Sequence, residues 1–147
     1  MKNIKFDVGG VITDFSPFSL KRYLKIPIKK VKELSSYIYN SDEWKECIKG
    51  NITQEELIDI LHSKNVLDRD TLDKFLLSKN QKHILPVCDE TLQEINKLKK
   101  KYKIYLLSNM SKNTHKYLSE LGILDLFDGG VYSYECGQIK PHRGIYE

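Results

Sequence analysis

Three short groups of polar residues, far apart in the chain, carry the chemistry that this sequence offers: Asp7, the pair Ser108-Asn109, and Lys140 before Pro141. Each follows a stretch that reads as a β-strand. Residues 3–8 alternate in part and run into Gly9-Gly10, the pattern of a short strand ending in a tight turn. The apolar run 102–107 has strand length, and Ser108-Asn109 closes it. Residues 131–134, after Gly129-Gly130, give a third short strand, with Lys140 beyond it after a loop. In an open parallel sheet, ligands bind outside the carboxyl ends of the strands. An acid, a hydroxyl and an ammonium meeting at one such edge suit a phosphoryl group. The carboxylate attacks phosphorus, the hydroxyl hydrogen-bonds a phosphoryl oxygen, and the lysine neutralises charge. Gly9 and Gly10 leave backbone N–H groups free to approach a phosphate closely. Singly, each residue has an ordinary reading as a turn former, a helix N-cap or a solvated cation. Their joint order and placement is what points to a site.

The elements that must position these groups are legible from periodicity. Ile28, Val31, Leu34 and Ile38 recur at helical spacing. Thr53-Gln54-Glu55-Glu56 is a capping box, followed by the apolar stripe Leu57, Ile60 and Leu61. Leu72, Phe75 and Leu76 mark another helix after Asp70. Residues 16–82 therefore read as a block of three or four helices. Leu92, Ile95 and Leu98 give one more helix, and Ser111 is placed to N-cap a helix carrying Leu118 and Leu121 that Gly122 stops. Strands alternating with helices predict an α/β fold, a Rossmann-like parallel sheet built from residues 1–15 and 83–147, with the helical block 16–82 inserted after the first strand.

Composition narrows the function classes. The chain has 147 residues, 40% hydrophobic and 30% charged, which suits a globular protein with a true core and argues against disorder. No run of 18 apolar residues occurs, so a membrane span is not expected, and Asp7 breaks the N-terminal apolar patch too early for a signal peptide. Cys47, Cys88 and Cys136 form no CxxC pair, which points to free thiols in a reducing, cytoplasmic compartment. Cys88 and Cys136 read as small buried apolar side chains. The net charge of +4 comes from dispersed lysines; the densest run, 97–103, reads as a solvated helix end rather than a nucleic-acid contact. His62, His83, His115 and His142 show no metal-ligand spacing. Trp44, Tyr37 and Tyr39 are expected to fill the interior of the helical block, with stacking against a substrate as the lesser reading.

Phe6-Asp7-Val8-Gly9-Gly10-Val11-Ile12, Leu106-Leu107-Ser108-Asn109, and Gly137-Gln138-Ile139-Lys140-Pro141 followed by Ile145-Tyr146-Glu147 resemble the first three motifs of the haloacid dehalogenase (HAD) superfamily of hydrolases. The first motif resembles that family's Gly-Gly variant. The resemblance spans the whole chain, with residues 16–82 matching the family's helical cap. Trp44, Gly50, Ile52-Thr53 and Glu55-Glu56 are similar to a subgroup that contains small sugar-phosphate phosphatases. The resemblance implies a phosphatase acting on a small phosphorylated metabolite. Asp7 would be the nucleophile, forming an aspartyl-phosphate, and would bind Mg²⁺ together with the Gly9 carbonyl. Ser108 and Lys140 would hold phosphoryl oxygens, with Gly10 and Asn109 helping to place the substrate.

Two departures from the family pattern bear on this reading. Gly9 stands where the family's phosphatases commonly carry a second Asp as acid and base. No acidic pair follows Lys140, so the fourth motif, which completes the Mg²⁺ site, is missing; the expectation is a chain truncated before it. Without the strand of that motif, the edge of the first strand is unpaired and open to self-association. The alternative to an enzyme is an inactive relic acting as a binding or regulatory module. A metal-independent dehalogenase using the same Asp ranks lower.

Overall fold

The structure, a computed structural model, describes residues 2–147. Three strands, β1 (Asn3–Phe6), β2 (Lys103–Ser108) and β3 (Gly129–Tyr132), form one parallel sheet in the order β1-β2-β3. Phe6 lies opposite Leu106, and Leu106 opposite Gly130. The register brings the carboxyl ends of all three strands to the same edge. β1 pairs with β2 alone, so its other side is an edge of the sheet.

Between β1 and β2 the chain is helical, with no strand among the described residues 17–84. The helices are α1 (Pro17–Leu24), α2 (Ile28–Tyr39), α3 (Asp42–Ile48), α4 (Gln54–Ser63), α5 (Arg69–Leu76) and, after a short 3₁₀ turn, α6 (Gln81–Ile84). This is more than the three or four helices expected. Ser16, Ser41, Thr53 and Asp68 each accept a hydrogen bond from the backbone N–H three residues on, satisfying one of the orphan donors at a helix start. Ser41 starts a separate helix that apolar spacing does not mark. Asp68, rather than Asp70, caps α5. Their apolar stripes close on one another in a single cluster that includes Leu20, Val31, Ile38, Leu57, Phe75 and Ile84.

A second cluster surrounds the sheet. Ile104 and Leu106 of β2 pack with Val8, Ile12, Ile95 of α7 (Asp89–Leu98) and Leu118 of α8 (Lys112–Glu120). Alternate residues of β2, Tyr105 and Leu107, face a shallow cavity on the other side of the sheet, beside exposed Val131 and buried Ile145. The third strand lies two residues earlier than the sequence suggests. Ser133–Cys136 closes into a short helix, α9, because Gly137 takes the left-handed conformation (φ 71°) that ends it.

The cysteines are free among the described residues: Cys47 is buried, Cys88 half-buried and Cys136 exposed, so the expectation of burial fails for Cys136. Burial pushes the Cys47 thiol up to about 12, which leaves it unreactive. No described helix is long and apolar enough to cross a membrane.

The helical block and the sheet meet through buried polar groups. Gln54, at the start of α4, donates from Nε2 to the Leu76 carbonyl at 2.9 Å, and its Oε1 accepts from the Ser111 hydroxyl. Gln81 accepts from the Thr114 hydroxyl at 3.4 Å. Ser111 is also the N-cap of α8, so the helix following Ser108-Asn109 is tied at its first turn to both α4 and α6. At a neighbouring contact Gly50, with φ 84°, lies so close to the Tyr134 carbonyl that a Cβ there would clash with it.

Candidate active site

Asp7 follows β1 directly, and the turn after it is built by the carbonyl of Val8. That one oxygen accepts the backbone N–H groups of Val11, Ile12 and Thr13 at 2.9–3.1 Å. Gly10 takes φ 76°, a conformation that favours glycine, and donates its N–H to the Thr13 carbonyl at 2.8 Å. Two glycine donors were expected at this turn; the Gly10 N–H is consumed inside it. Among the described residues only the Gly9 N–H of the pair keeps no backbone partner.

The half-exposed carboxylate of Asp7 is held at both oxygens. Oδ1 accepts the N–H of Val8 at 2.8 Å, and Oδ2 lies 3.1 Å from Nζ of Lys140. Lys140 reaches this position from a loop 133 residues away in sequence. Its ammonium also donates to the Leu107 carbonyl at 3.1 Å, and an ammonium has three donors, so one remains for a further acceptor.

Ser108, at the end of β2, is buried, and its hydroxyl finds only a long contact of 3.4 Å, to the Asn109 carbonyl. Asn109 is bonded to the segment that carries Lys140. Its Oδ1 accepts the backbone N–H of Lys140 at 2.8 Å and its Nδ2 donates to the Lys140 carbonyl at 3.4 Å. The amide thus brackets the peptide unit of Lys140 rather than pointing at a ligand, and fixes where that ammonium emerges.

Beside these groups lies a cavity of about 200 Å³, between the sheet edge and the helical block. Val8, Gly9, Ser108 and Asn109 border it from the sheet side. Phe15, Tyr39 and Trp44 border it from the helical side, set edge to face with ring centroids 5.2 Å and 4.9 Å apart. Burial pushes the Tyr39 phenol well above its ordinary value, so it stays neutral. The sequence placed Tyr39 and Trp44 in the interior of the block, and both do pack there. The same two rings also border the cavity, the position that the lesser reading requires; helical spacing marks an apolar face without saying what lies opposite.

Asp14 and His142 lie outside this group. Asp14 is exposed and is tied by its backbone N–H to the Pro86 carbonyl at 2.8 Å. His142 is exposed and accepts the Gly144 N–H on Nδ1. Among the described residues no three His, Cys, Asp or Glu side chains cluster as metal ligands.

The family model for haloacid dehalogenase-like hydrolases matches residues 1–147. The fold is similar to that of a HAD family enzyme from Bacteroides thetaiotaomicron, solved as the wild-type protein in complex with magnesium and inorganic phosphate. That likeness has a TM-score of 0.70 at 22% identity, covering 99% of this chain and 75% of that one. A HAD-like family hydrolase from Porphyromonas gingivalis gives a TM-score of 0.67 at 21% identity, covering 99% of this chain and 73% of that one. An L-2-haloacid dehalogenase from Xanthobacter autotrophicus, with chloropropionic acid covalently bound, gives 0.61 at 17% identity, covering 99% and 62%. No curated protein matches the chain significantly. With its whole length matched by the family model, the chain belongs to the haloacid dehalogenase-like hydrolases.

Proposed function

We propose that this chain carries the site of a phosphomonoesterase acting on a small phosphorylated metabolite, with residues 16–82 as its cap. One observation carries the reading: Asp7 Oδ2 and Lys140 Nζ, 3.1 Å apart, share the carboxyl edge of the sheet with Ser108. Asp7 attacks phosphorus, a P–O bond forms to its carboxylate, and the bond to the leaving oxygen breaks. Water then hydrolyses the aspartyl-phosphate, so the net reaction consumes one water and releases an alcohol and phosphate. The spare N–H of Lys140 meets a phosphoryl oxygen, the Ser108 hydroxyl a second, and the Gly9 N–H a third. Asn109 positions Lys140 by its backbone. Gly9 carries no side chain to protonate the leaving oxygen, so that proton comes from water.

The donor set fits Mg²⁺ carried in with the phosphate. The Asp7 carboxylate and the Gly9 carbonyl would hold it, since Mg²⁺ commonly relies on one or two carboxylates plus phosphate and water. When bound it supplies charge stabilisation to the phosphoryl oxygens. The magnesium and phosphate in the Bacteroides relative support this reading. The free thiols suit a cytoplasmic setting.

Asp7→Asn tests the assignment. Phosphate release from phenyl phosphate, with Mg²⁺, is expected to fall by at least about 10³-fold, the scale seen when a covalent nucleophile is removed. Undiminished turnover in the variant refutes it. A second reading, a binding module without turnover, draws on the single carboxylate available to a metal. It is favoured if the unsubstituted protein is stabilised by phosphate yet releases none from any ester.

A further inference from the structure

We infer that the group this site receives beside the phosphate is uncharged and presents a flat apolar face, a phenol or similar ring rather than a sugar, an acid or a second phosphate. The inference rests on the phosphatase reading for which end of the ligand carries phosphate. It goes beyond that reading in naming what fills the cavity beside it.

The cavity borders Gly9, Ser108 and Asn109, so a phosphoryl group held at Asp7 and Lys140 directs its ester substituent there. Phe15, Tyr39 and Trp44 make one wall, with Ile84 and Leu85 completing it. No charged side chain lines it among the described residues. A carboxylate, an ammonium or a second phosphate entering this space loses its hydration and meets no counter-charge. The two glutamine amides that line it are already engaged. Gln54 is spent on Leu76 and Ser111, while Gln81 accepts from Thr114 and donates to the Phe75 carbonyl at 3.4 Å. A polyol would trade its several water contacts for amides held in structural bonds, and so enters at a loss. An apolar ring instead gains burial and edge-to-face contact with the three aromatics. Size agrees: a dry apolar cavity of about 150 Å³ accommodates benzene, and this one measures about 200 Å³.

Trp44 is the single tryptophan of the chain and stands in the wall, so its fluorescence reports on what enters. Three phosphonates, which cannot be hydrolysed, are titrated with Mg²⁺ present: phenylphosphonate, 2-hydroxyethylphosphonate and phosphonoacetate. Phenylphosphonate is expected to shift the emission saturably and to bind at least about tenfold more tightly than either of the others, the scale of one well-placed aromatic contact with its burial. Phe15→Ala, at a partly exposed position, is expected to weaken phenylphosphonate more than 2-hydroxyethylphosphonate. Equal affinities, the reverse order, or no binding of phenylphosphonate overturns the inference. Turnover of phenyl phosphate is scored separately. Binding in the stated order without turnover removes the phosphatase reading and leaves this one standing. Turnover that prefers a charged or polyhydroxylated substituent removes this one and leaves the phosphatase.

Discussion

The helical block and the sheet region reach stability by different routes. In the block, most contacts join helices that follow one another, α1 with α2, α3 with α4 and α4 with α5, and α6 then returns to α1. Five capped or Pro-initiated helices bring their apolar stripes into one cluster with Phe75 and Leu57. In the sheet, every ladder joins segments about 25 to 100 residues apart, and β1 is bonded along one side only. The polar groups with chemical potential sit on the long-range side, and the aromatic wall on the local side. The candidate site exists only where the two are held together. A region built from local contacts supplies shape, whereas the reacting groups depend on pairing that loop-closure entropy opposes.

Removing the centre of the block should have the largest effect on that contrast. Phe75→Ala deletes a fully buried ring and is expected to cost about 3–5 kcal/mol in urea denaturation. A loss below about 1 kcal/mol would mean that the helices do not share one core. Cutting the link between the regions should cost less. Gln54→Leu leaves the Leu76 carbonyl without its amide donor and the Ser111 hydroxyl with Thr114 alone, for an expected loss of about 1–3 kcal/mol read from chemical denaturation. If the same variant leaves Trp44 fluorescence and stability untouched, the two regions are not held by this amide.

The smallest effect is a pH signature of the sheet region alone. The Ile104 backbone N–H, with Lys103 nearby, holds the Asp128 carboxyl below its ordinary range. A carboxyl depressed in the folded state stabilises above its unfolded pKa of about 3.9 and loses that contribution as pH falls toward the folded value. Asp128→Asn is therefore expected to lower the melting temperature slightly at pH 7 and to flatten its decline below about pH 4, where the two proteins converge. An unchanged acid limb would show that this carboxylate does not brace β2.

Much of the fold could be read from residue order. The capping box at Thr53 is present, the Ser111 cap is present, and both of the first two strands lie within a residue or two of where alternation put them. The misplaced pieces share a cause. Ser41 and Asp68 are side-chain caps, and a cap interrupts helical periodicity without breaking the apolar pattern that periodicity follows. For the site, Asp7, Ser108 and Lys140 could be named because each ends a strand or its following loop. Two facts could not: that Asn109 spends its amide on Lys140, and that Gly10 spends its N–H on Thr13. Both depend on where a backbone group points, which residue type does not specify. The cavity was equally hidden, since Tyr39 and Trp44 carry the same pattern whether a ring meets another ring or empty space.

Gly50 fixes how near the loop after α3 comes to α9. It lies against the Tyr134 carbonyl with no room for even a methyl group, and its left-handed backbone (φ 84°) is one that other residues rarely adopt. Spacing and backbone hand are therefore set together by one hydrogen in place of a side chain. Any replacement would have to move one of the two backbones and bear the strain of the turn as well.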